Sequence, residues 1–347
     1  MNLKKMNRIN VNEMILLLNP NSQGGNTGKT WIATYNKVKE FLPKNHRIIF
    51  TKKSNDGIFI TRKLLRKGYK NIVAIGGDGT INEIANGFFG LKSQNKHIKD
   101  FEKFNLNSRL KPVNPKGVMY VVPSGSRNVL ARSLELKHQG VGALMRVRHM
   151  KRRNMDVIAA VITDKDTPSL THNRIIMNAA EIGVGAEIID RSKKVRGKIK
   201  NRFVSTMASI VATLPSYNSN ECDIVIDRDK KISSKMTMGI VANGRFLGGG
   251  FKAAPRAKFS DGLMDIIILT NSGSFKMLDK LIELKGTSTY KFEDDILYYQ
   301  ASEVKFLPKE RNVTVSVDGE PIGMLPAIFK SYHNALTIKT ETHSSRI

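Results

Sequence analysis

The sequence predicts a lobe of alternating strands and helices on a parallel sheet, followed by an antiparallel β-sandwich lobe. Three observations predict it. Up to about residue 155, short apolar runs alternate with longer segments of helical spacing, the pattern of a parallel sheet covered on both faces. Beyond that point β-prone runs follow one another with few helices between them. The length, 347 residues, suits one large domain or two ordinary ones, and 40% hydrophobic residues can bury a sizeable core. The expected boundaries are 11–155 for the first lobe, 156–330 for the second, and 331–347 for a C-terminal strand and tail that can return to the first.

The first apolar run is Met14–Leu18. Lys4, Lys5 and Arg8 precede it in the manner of a signal peptide, but the run is too short for an h-region. Asn19-Pro20 also stands where small cleavage-site residues belong, so a buried strand is expected. Arg47–Phe50, Asn71–Ile75 and Met119–Val122 read as further buried strands, ended by Gly, Pro or Asn. Between them, Ile81, Ile84, Ala85 and Phe88 recur at helical spacing and predict a helix over Thr80–Phe88. Leu91–Lys116 is a long polar, basic connection. In the second lobe, strands are expected at Arg174–Ala180, Asp223–Asp227, Met236–Ala242, Met264–Thr270, Glu303–Leu307 and Asn312–Val317, with hairpin chemistry at Arg228-Asp229-Lys230. Only Asp190–Leu214 and Ser274–Lys285 read as helices there. No internal repeat and no low-complexity tract is present.

Thirty acidic against 57 basic residues leave a net charge of +27, which attracts nucleic acid, anionic membrane or phosphorylated ligands alike. The single cysteine, Cys222, excludes an internal disulfide framework and fits a reducing compartment. No apolar run approaches the ~18–20 residues that cross a bilayer. A cytoplasmic protein, at most peripheral at a membrane, is therefore expected.

The strongest local signal is Ile75-Gly76-Gly77-Asp78-Gly79-Thr80-Ile81-Asn82-Glu83, set between an apolar strand and an amphipathic helix. Glycines let backbone N–H groups approach a ligand, and a helix N-terminus favours phosphate. Asp78 inside the turn could hold a phosphate-bound Mg²⁺. Taken alone, the turn is equally a capped strand-to-helix connection. Pro123-Ser124-Gly125-Ser126-Arg127-Asn128-Val129-Leu130-Ala131-Arg132 repeats the design after another strand, with Arg132 a fixed cation for a phosphoryl oxygen. Two such turns at the carboxyl ends of strands would meet at the crevice where open α/β sheets bind ligands. The stretch Asn19–Thr30 falls short of a Walker A loop, because Gln23 occupies the position of its first glycine.

Asn19-Pro20-x-Ser22, Gly76-Gly77-Asp78-Gly79-Thr80-x-Asn82-Glu83, Pro123-x-Gly125-Ser126-x-Asn128, Asp261-Gly262 and Asp318-Gly319-Glu320, in that order, resemble bacterial lipid kinases of the diacylglycerol kinase catalytic-domain group. That group includes sphingosine-kinase-like and long-chain-base-kinase-like members, and the resemblance runs from about residue 14 to residue 340. The resemblance implies a Rossmann-like nucleotide domain joined to a β-sandwich, the arrangement of NAD kinases and diacylglycerol kinases, with the active site between them. It further implies that ATP contacts Asn19, Pro20, Asn21, Ser22, Gln23, Thr51, Gly77, Asp78, Gly79, Thr80, Ile81, Asn82, Glu83 and Ser126. Asp78 and Asp156 would join a catalytic Mg²⁺ network, directly or through water. Glu320 would be the base, and Arg132, with Lys29, would neutralise phosphate charge. A second, structural Mg²⁺ would sit on Asp261 and the carbonyls of Lys258 and Leu263.

Three residues depart from the family pattern. Gln23 replaces a glycine, Ser126 replaces a threonine, and Val129 stands where many diacylglycerol kinases have Asp. The run Asn128–Arg132 is nearer the long-chain-base kinases, so the acceptor stays open among diacylglycerol, a sphingoid base and related lipid alcohols. The partners expected are a membrane lipid and an anionic membrane surface, met by clusters at Arg191–Arg202, at Arg146–Arg153 and, more dilute, at Leu91–Lys116. The oligomeric state stays open, a homodimer included. The rivals are an NAD kinase-like small-molecule kinase and a non-enzymatic nucleic-acid-binding protein. Asn19-Pro20 and Asp318-Gly319-Glu320 count against the first. No zinc-finger spacing and only 7% aromatics count against the second, so no nucleic acid is expected.

Overall fold

The computed structural model describes residues 10–91, 94–96, 98, 100–107, 109–195, 209, 212–213, 217–270, 295–309 and 313–341. The first lobe runs β1 (Met14–Leu18), α1 (Asn26–Val38), β2 (His46–Phe50), α2 (Asp56–Arg66), β3 (Asn71–Gly76), α3 (Asp78–Gly87), β4 (Gln94–Lys96), β5 (Val118–Pro123), α4 (Val129–Ser133) and α5 (Gly140–Met145). Strands β2, β1, β3 and β5 lie side by side in that order, all parallel.

The continuous apolar character of β1, β3 and β5 follows from burial on both faces, whereas β2, expected to be buried, is the edge strand and leaves Arg47 and Phe50 exposed. Ile15 and Leu17 of β1, Ile72 and Ala74 of β3, and Met119 and Val121 of β5 pack on one face with Leu64 of α2 and Ile84 of α3. The residues between them, such as Leu16, Val73 and Tyr120, pack on the other face with Trp31 of α1 and Leu144 of α5. The period of two that alternates side chains across a strand therefore produces two cores from one sheet.

The second lobe contains β6 (Lys151–Thr163), β7 (Leu170–Ile176), β8 (Ala179–Gly183), α6 (Val184–Val195), β9 (Asn220–Ile226), β10 (Lys230–Ala242), β11 (Met264–Thr270), β12 (Ile296–Ala301), β13 (Glu303–Pro308), β14 (Thr314–Val317) and β15 (Glu320–Thr340). Its pairings are antiparallel: β14–β8–β10–β11–β12 along one run, with β9 against β10 and β13, and β6 against β7 and β15. Phe306 and Phe329, both fully buried, meet edge to face at 6.0 Å in its core. The α/β lobe followed by an antiparallel β lobe is the fold class the sequence predicts.

Strand β15 joins the two lobes. It makes a hairpin with β14, runs antiparallel to β6 from Met324 to Thr340, and lays Ile338 and Lys339 parallel to Met119 and Tyr120 of β5. A bulge between Tyr332 and Leu336 breaks the β6 pairing opposite Asp156.

The elements differ from the sequence expectation in several places. The single strand expected at Arg174–Ala180 is two, β7 and β8. The break falls where the amides of Met177, Asn178 and Ala179 turn onto the Asp318 carboxylate instead of a neighbouring strand. Helix α6 starts at Val184, six residues before the expected Asp190. The rest of that expected helix lies largely outside the described residues, and Ser274–Lys285 lies wholly outside them. The long strand β6, the strand β12, and the extension of β15 back to Glu320, ahead of the C-terminal strand expected from residue 331, were not anticipated.

Candidate active site

Register brings three turns to one level. Leu18 at the end of β1 pairs with Ile75 of β3, and Ile75 pairs with Val122 of β5, so the loops after these strands leave the same edge together. They form the floor of a cleft of about 470 Å³, which the second lobe roofs with Asn178, Glu181, Asp318 and Glu320 among others.

The turns are tied to one another. Asn19 donates from Nδ2 to Thr80 Oγ1 at 3.3 Å, linking the first turn to the second. Gln23 donates from Nε2 to the Ser124 carbonyl at 2.9 Å, linking the first to the third. The Leu130 amide donates to Asp78 Oδ1 at 3.0 Å, linking the third to the second. The glycines are sterically required where the turns touch, since a methyl group at Gly125 would overlap Gly77 Cα. Gln23, standing in place of a family glycine, has φ +56°, and Gly24 and Gly25 follow at +69° and +89°. It thus adopts the left-handed conformation that glycine favours. The bond to Ser124 holds it there.

Asp78 lines the cleft and uses one carboxylate oxygen on Leu130; no hydrogen bond reaches the other among the described residues. Ser22, also lining the cleft, has a buried hydroxyl with no hydrogen-bond partner among them. Glu320 arrives from the β14–β15 hairpin, its Oε1 only 3.0 Å from where a Cβ on Gly79 would lie. The absence of a side chain at Gly79 therefore admits the carboxylate to the turn.

Asp318 fixes that hairpin. Oδ1 accepts from the Asn178 and Ala179 amides and Oδ2 from the Met177 amide and Asn82 Nδ2. Burial still pushes its carboxyl up to about 6, against the lowering by these donors. Glu83 accepts from the amides of Asn55 and Gly57 at 2.9 and 3.0 Å, tying α3 to the start of α2. Burial raises its carboxyl, the two amide bonds oppose the rise, and the like charge of Glu320 adds to it.

Of the residues expected from the sequence, Asn19, Asn21, Ser22, Gln23, Gly77, Asp78, Gly79, Thr80, Glu83, Ser126 and Glu320 line the cleft together. Others sit elsewhere. Pro20 packs on Gly28, Thr51 is buried with its amide on the Leu18 carbonyl, and Ile81 is fully buried in the first-lobe core. Asn82 faces the second lobe, donating to Asp318 and to the Ile175 carbonyl at 2.8 Å. Arg132 stacks over the Phe246 ring at 4.6 Å and lies against Gly250, while Arg127 and Lys53 are the cations that line the cleft.

Asp156 lies apart from the cleft. It has no exposed surface and does not line the cleft. Its oxygens accept from the Asn334 amide in the β15 bulge and the Gly262 amide, both at 2.6 Å, with His333 Nδ1 at 3.1 Å. It braces the Asp261 loop instead of facing Asp78. Within that loop, Asp261 accepts from the Leu263 amide at 3.1 Å. Asp265 nearby, pushed up to about 7 by burial and then by Asp261, has a buried oxygen without a hydrogen-bond partner among the described residues.

A second, apolar slot of about 60 Å³ opens off the cleft between α6 and the β8–β10–β11 strands, lined by Ile188, Met238, Ile240, Phe251 and Leu269. Arg127, Glu181, Ile189, Leu247 and Gly248 line both cavities. Sequence reasoning missed Arg127, Glu181 and the positioning role of Asp318, although Arg127 and Asp318 stand inside quoted motifs. For Glu181 the available signal was an acid in an otherwise apolar β-run.

Residues 13–160 match the diacylglycerol kinase catalytic domain, and residues 178–340 match the YegS C-terminal NAD kinase beta sandwich-like domain. A diacylglycerol kinase of Staphylococcus epidermidis is 25% identical over 293 residues, covering 84% of this chain and 80% of that protein. A probable lipid kinase YegS-like of Chromohalobacter salexigens is 25% identical over 273 residues, covering 78% and 76%. The crystal structure of a diacylglycerol kinase from Bacillus anthracis superposes with a TM-score of 0.64 at 17% identity, covering 95% of this chain and 97% of that one, and shows the same fold.

Proposed function

This chain belongs to the bacterial diacylglycerol-kinase-like lipid kinases, which transfer phosphate from ATP to an alcohol, and on that premise we propose that the cleft phosphorylates the hydroxyl of a membrane lipid with Glu320 as general base. The observation that carries the reading is the approach of the Glu320 carboxylate to Gly79, across the three joined turns. Phosphoryl transfer demands alignment and charge compensation more than covalent chemistry from the protein. The backbone of the Gly77–Gly79 turn and the Ser22 hydroxyl offer hydrogen bonds to the triphosphate, and Arg127 and Lys53 offset its charge. Glu320 takes the proton as the lipid oxygen bonds to the γ-phosphorus and the bond to the departing ADP breaks.

Mg²⁺ fits the same place. Asp78 offers a carboxylate oxygen that no hydrogen bond occupies among the described residues, and no cluster of three or more His, Cys, Asp or Glu there provides an all-protein cage. A cation held by one carboxylate and the nucleotide's own oxygens is the usual Mg²⁺ arrangement. When bound it would neutralise charge on the transferring phosphoryl group. Asp261 with the Lys258 and Leu263 carbonyls would hold a second ion, and the orphaned Asp265 oxygen beside them favours one. Adding Mg²⁺ without nucleotide should raise the melting temperature of the native chain and not that of Asp261→Ala; an equal rise in both removes this site.

The apolar slot is suited to the first methylenes of a lipid chain. Exposed Arg146, Lys151 and Arg152 add positive charge that an anionic bilayer would attract, at ~1 kcal/mol for each charge near the surface. No described helix is long and apolar enough to cross a membrane. The deciding experiment uses labelled ATP and a panel of lipid alcohols in anionic and neutral vesicles, with Mg²⁺ present or chelated. Mg²⁺-dependent label in a lipid, faster on anionic vesicles, is expected. Label in NAD, with none in any lipid, overturns the proposal.

A further inference from the structure

The cleft and the slot share one acidic residue for which the transfer chemistry has no use. Glu181 lies in the middle of β8, paired to Ile240 of β10 and Ser316 of β14, and is only 8% exposed. It lines the polar cleft and the apolar slot alike. Among the described residues no hydrogen bond or ion pair reaches its carboxyl group; Arg127 and Asp318 act on it only through their charge. Asp318 is two residues from Glu320, so Glu181 stands close to the expected point of transfer, on the side where the acyl chain would enter.

A carboxyl that lines a cavity has water for a partner, and a ligand that expels the water must supply a partner in its place or leave the group unsatisfied. We propose that Glu181 selects the acceptor by its headgroup, taking lipids that carry a second hydroxyl or an amine beside the hydroxyl that is phosphorylated. This inference rests on the lipid-kinase reading and narrows it. Burial pushes the Glu181 carboxyl up to about 8, so at neutral pH it is largely a neutral acid that both donates and accepts. A hydroxyl complements it in either protonation state, and an amine can pair with its charged form. A lipid with one hydroxyl and an alkyl chain leaves it unsatisfied. Sites built around a substrate hydroxyl discriminate strongly against analogues that lack it, for this reason.

The test is a matched pair of acceptors in mixed micelles: an alkyl glycerol ether with two vicinal hydroxyls, and the same ether with only the terminal one. A 2-amino alcohol of equal chain length is the third arm. The native enzyme should phosphorylate the diol or the amino alcohol with a kcat/KM about tenfold or more above that of the single alcohol. Glu181→Leu should bring the ratios to within about twofold, while KM for ATP stays unchanged. Glu181→Gln, which still donates and accepts, should keep the diol preference and lose that for the amine. A native enzyme that prefers neither overturns the inference whether or not a variant folds, and so does Glu181→Leu with the native ratios. If the native enzyme phosphorylates no lipid at all, the lipid-kinase reading itself fails, a result distinct from phosphorylation without preference.

Discussion

Glu320→Gln should lower turnover by about 10²-fold or more and leave KM for ATP nearly unchanged. Glutamine keeps the size of the side chain, so the β14–β15 hairpin and the close fit against Gly79 survive. What it loses is the capacity to take a proton from the acceptor hydroxyl. The hairpin is held by Asp318 rather than by Glu320, through the amides of Met177, Asn178 and Ala179, so the substitution leaves that anchor intact. A companion test is Gly79→Ala, which sets a methyl group 3.0 Å from Glu320 Oε1 and should reduce turnover by displacing the same carboxylate. Native turnover in Glu320→Gln removes Glu320 from the chemistry.

Asp78→Asn should be the second severe loss, about 10²–10³-fold in Mg²⁺-dependent transfer. The two substitutions differ in what they remove. Asparagine at position 78 can still accept the Leu130 amide through its side-chain oxygen, so the tie between the second and third turns persists and the melting temperature should barely change. The lost charge is the one that would hold the cation. KM for ATP as its Mg²⁺ complex should therefore rise in Asp78→Asn and stay level in Glu320→Gln. Full Mg²⁺-dependent activity in Asp78→Asn excludes the carboxylate as the metal's anchor.

Much of the first lobe was legible because β1, β3 and β5 are buried on both faces. Ile15 through Leu18, Val73 through Ile75 and Met119 through Val122 have nowhere to place a polar side chain, so each reads as a clean apolar run. The second lobe was harder. Strand β15 carries Pro321, Pro326, Lys330 and His333 along 21 residues because it passes from the β14 hairpin to the edge of β5, changing neighbours as it goes. No single periodicity survives such a change of surroundings. The start of α6, Val184-Gly185-Ala186, falls before the expected helix because it is buried as deeply as the strand it follows, so no alternation of polar and apolar faces marks it.

Of the site, the sequence by itself determined the three glycine-hinged turns and the acidic hairpin. Positive φ and close backbone approach are demands made within a few residues, and only certain residue types meet them. The tertiary structure decided which of their neighbours face the cleft. It set Asp156 beneath the Asp261 loop, Arg132 on Phe246 and Asn82 against Asp318, and it brought Arg127, Lys53 and Glu181 to the cavity wall. Those outcomes depend on the register between strands more than a hundred residues apart, where a shift of one position moves a side chain to the opposite face.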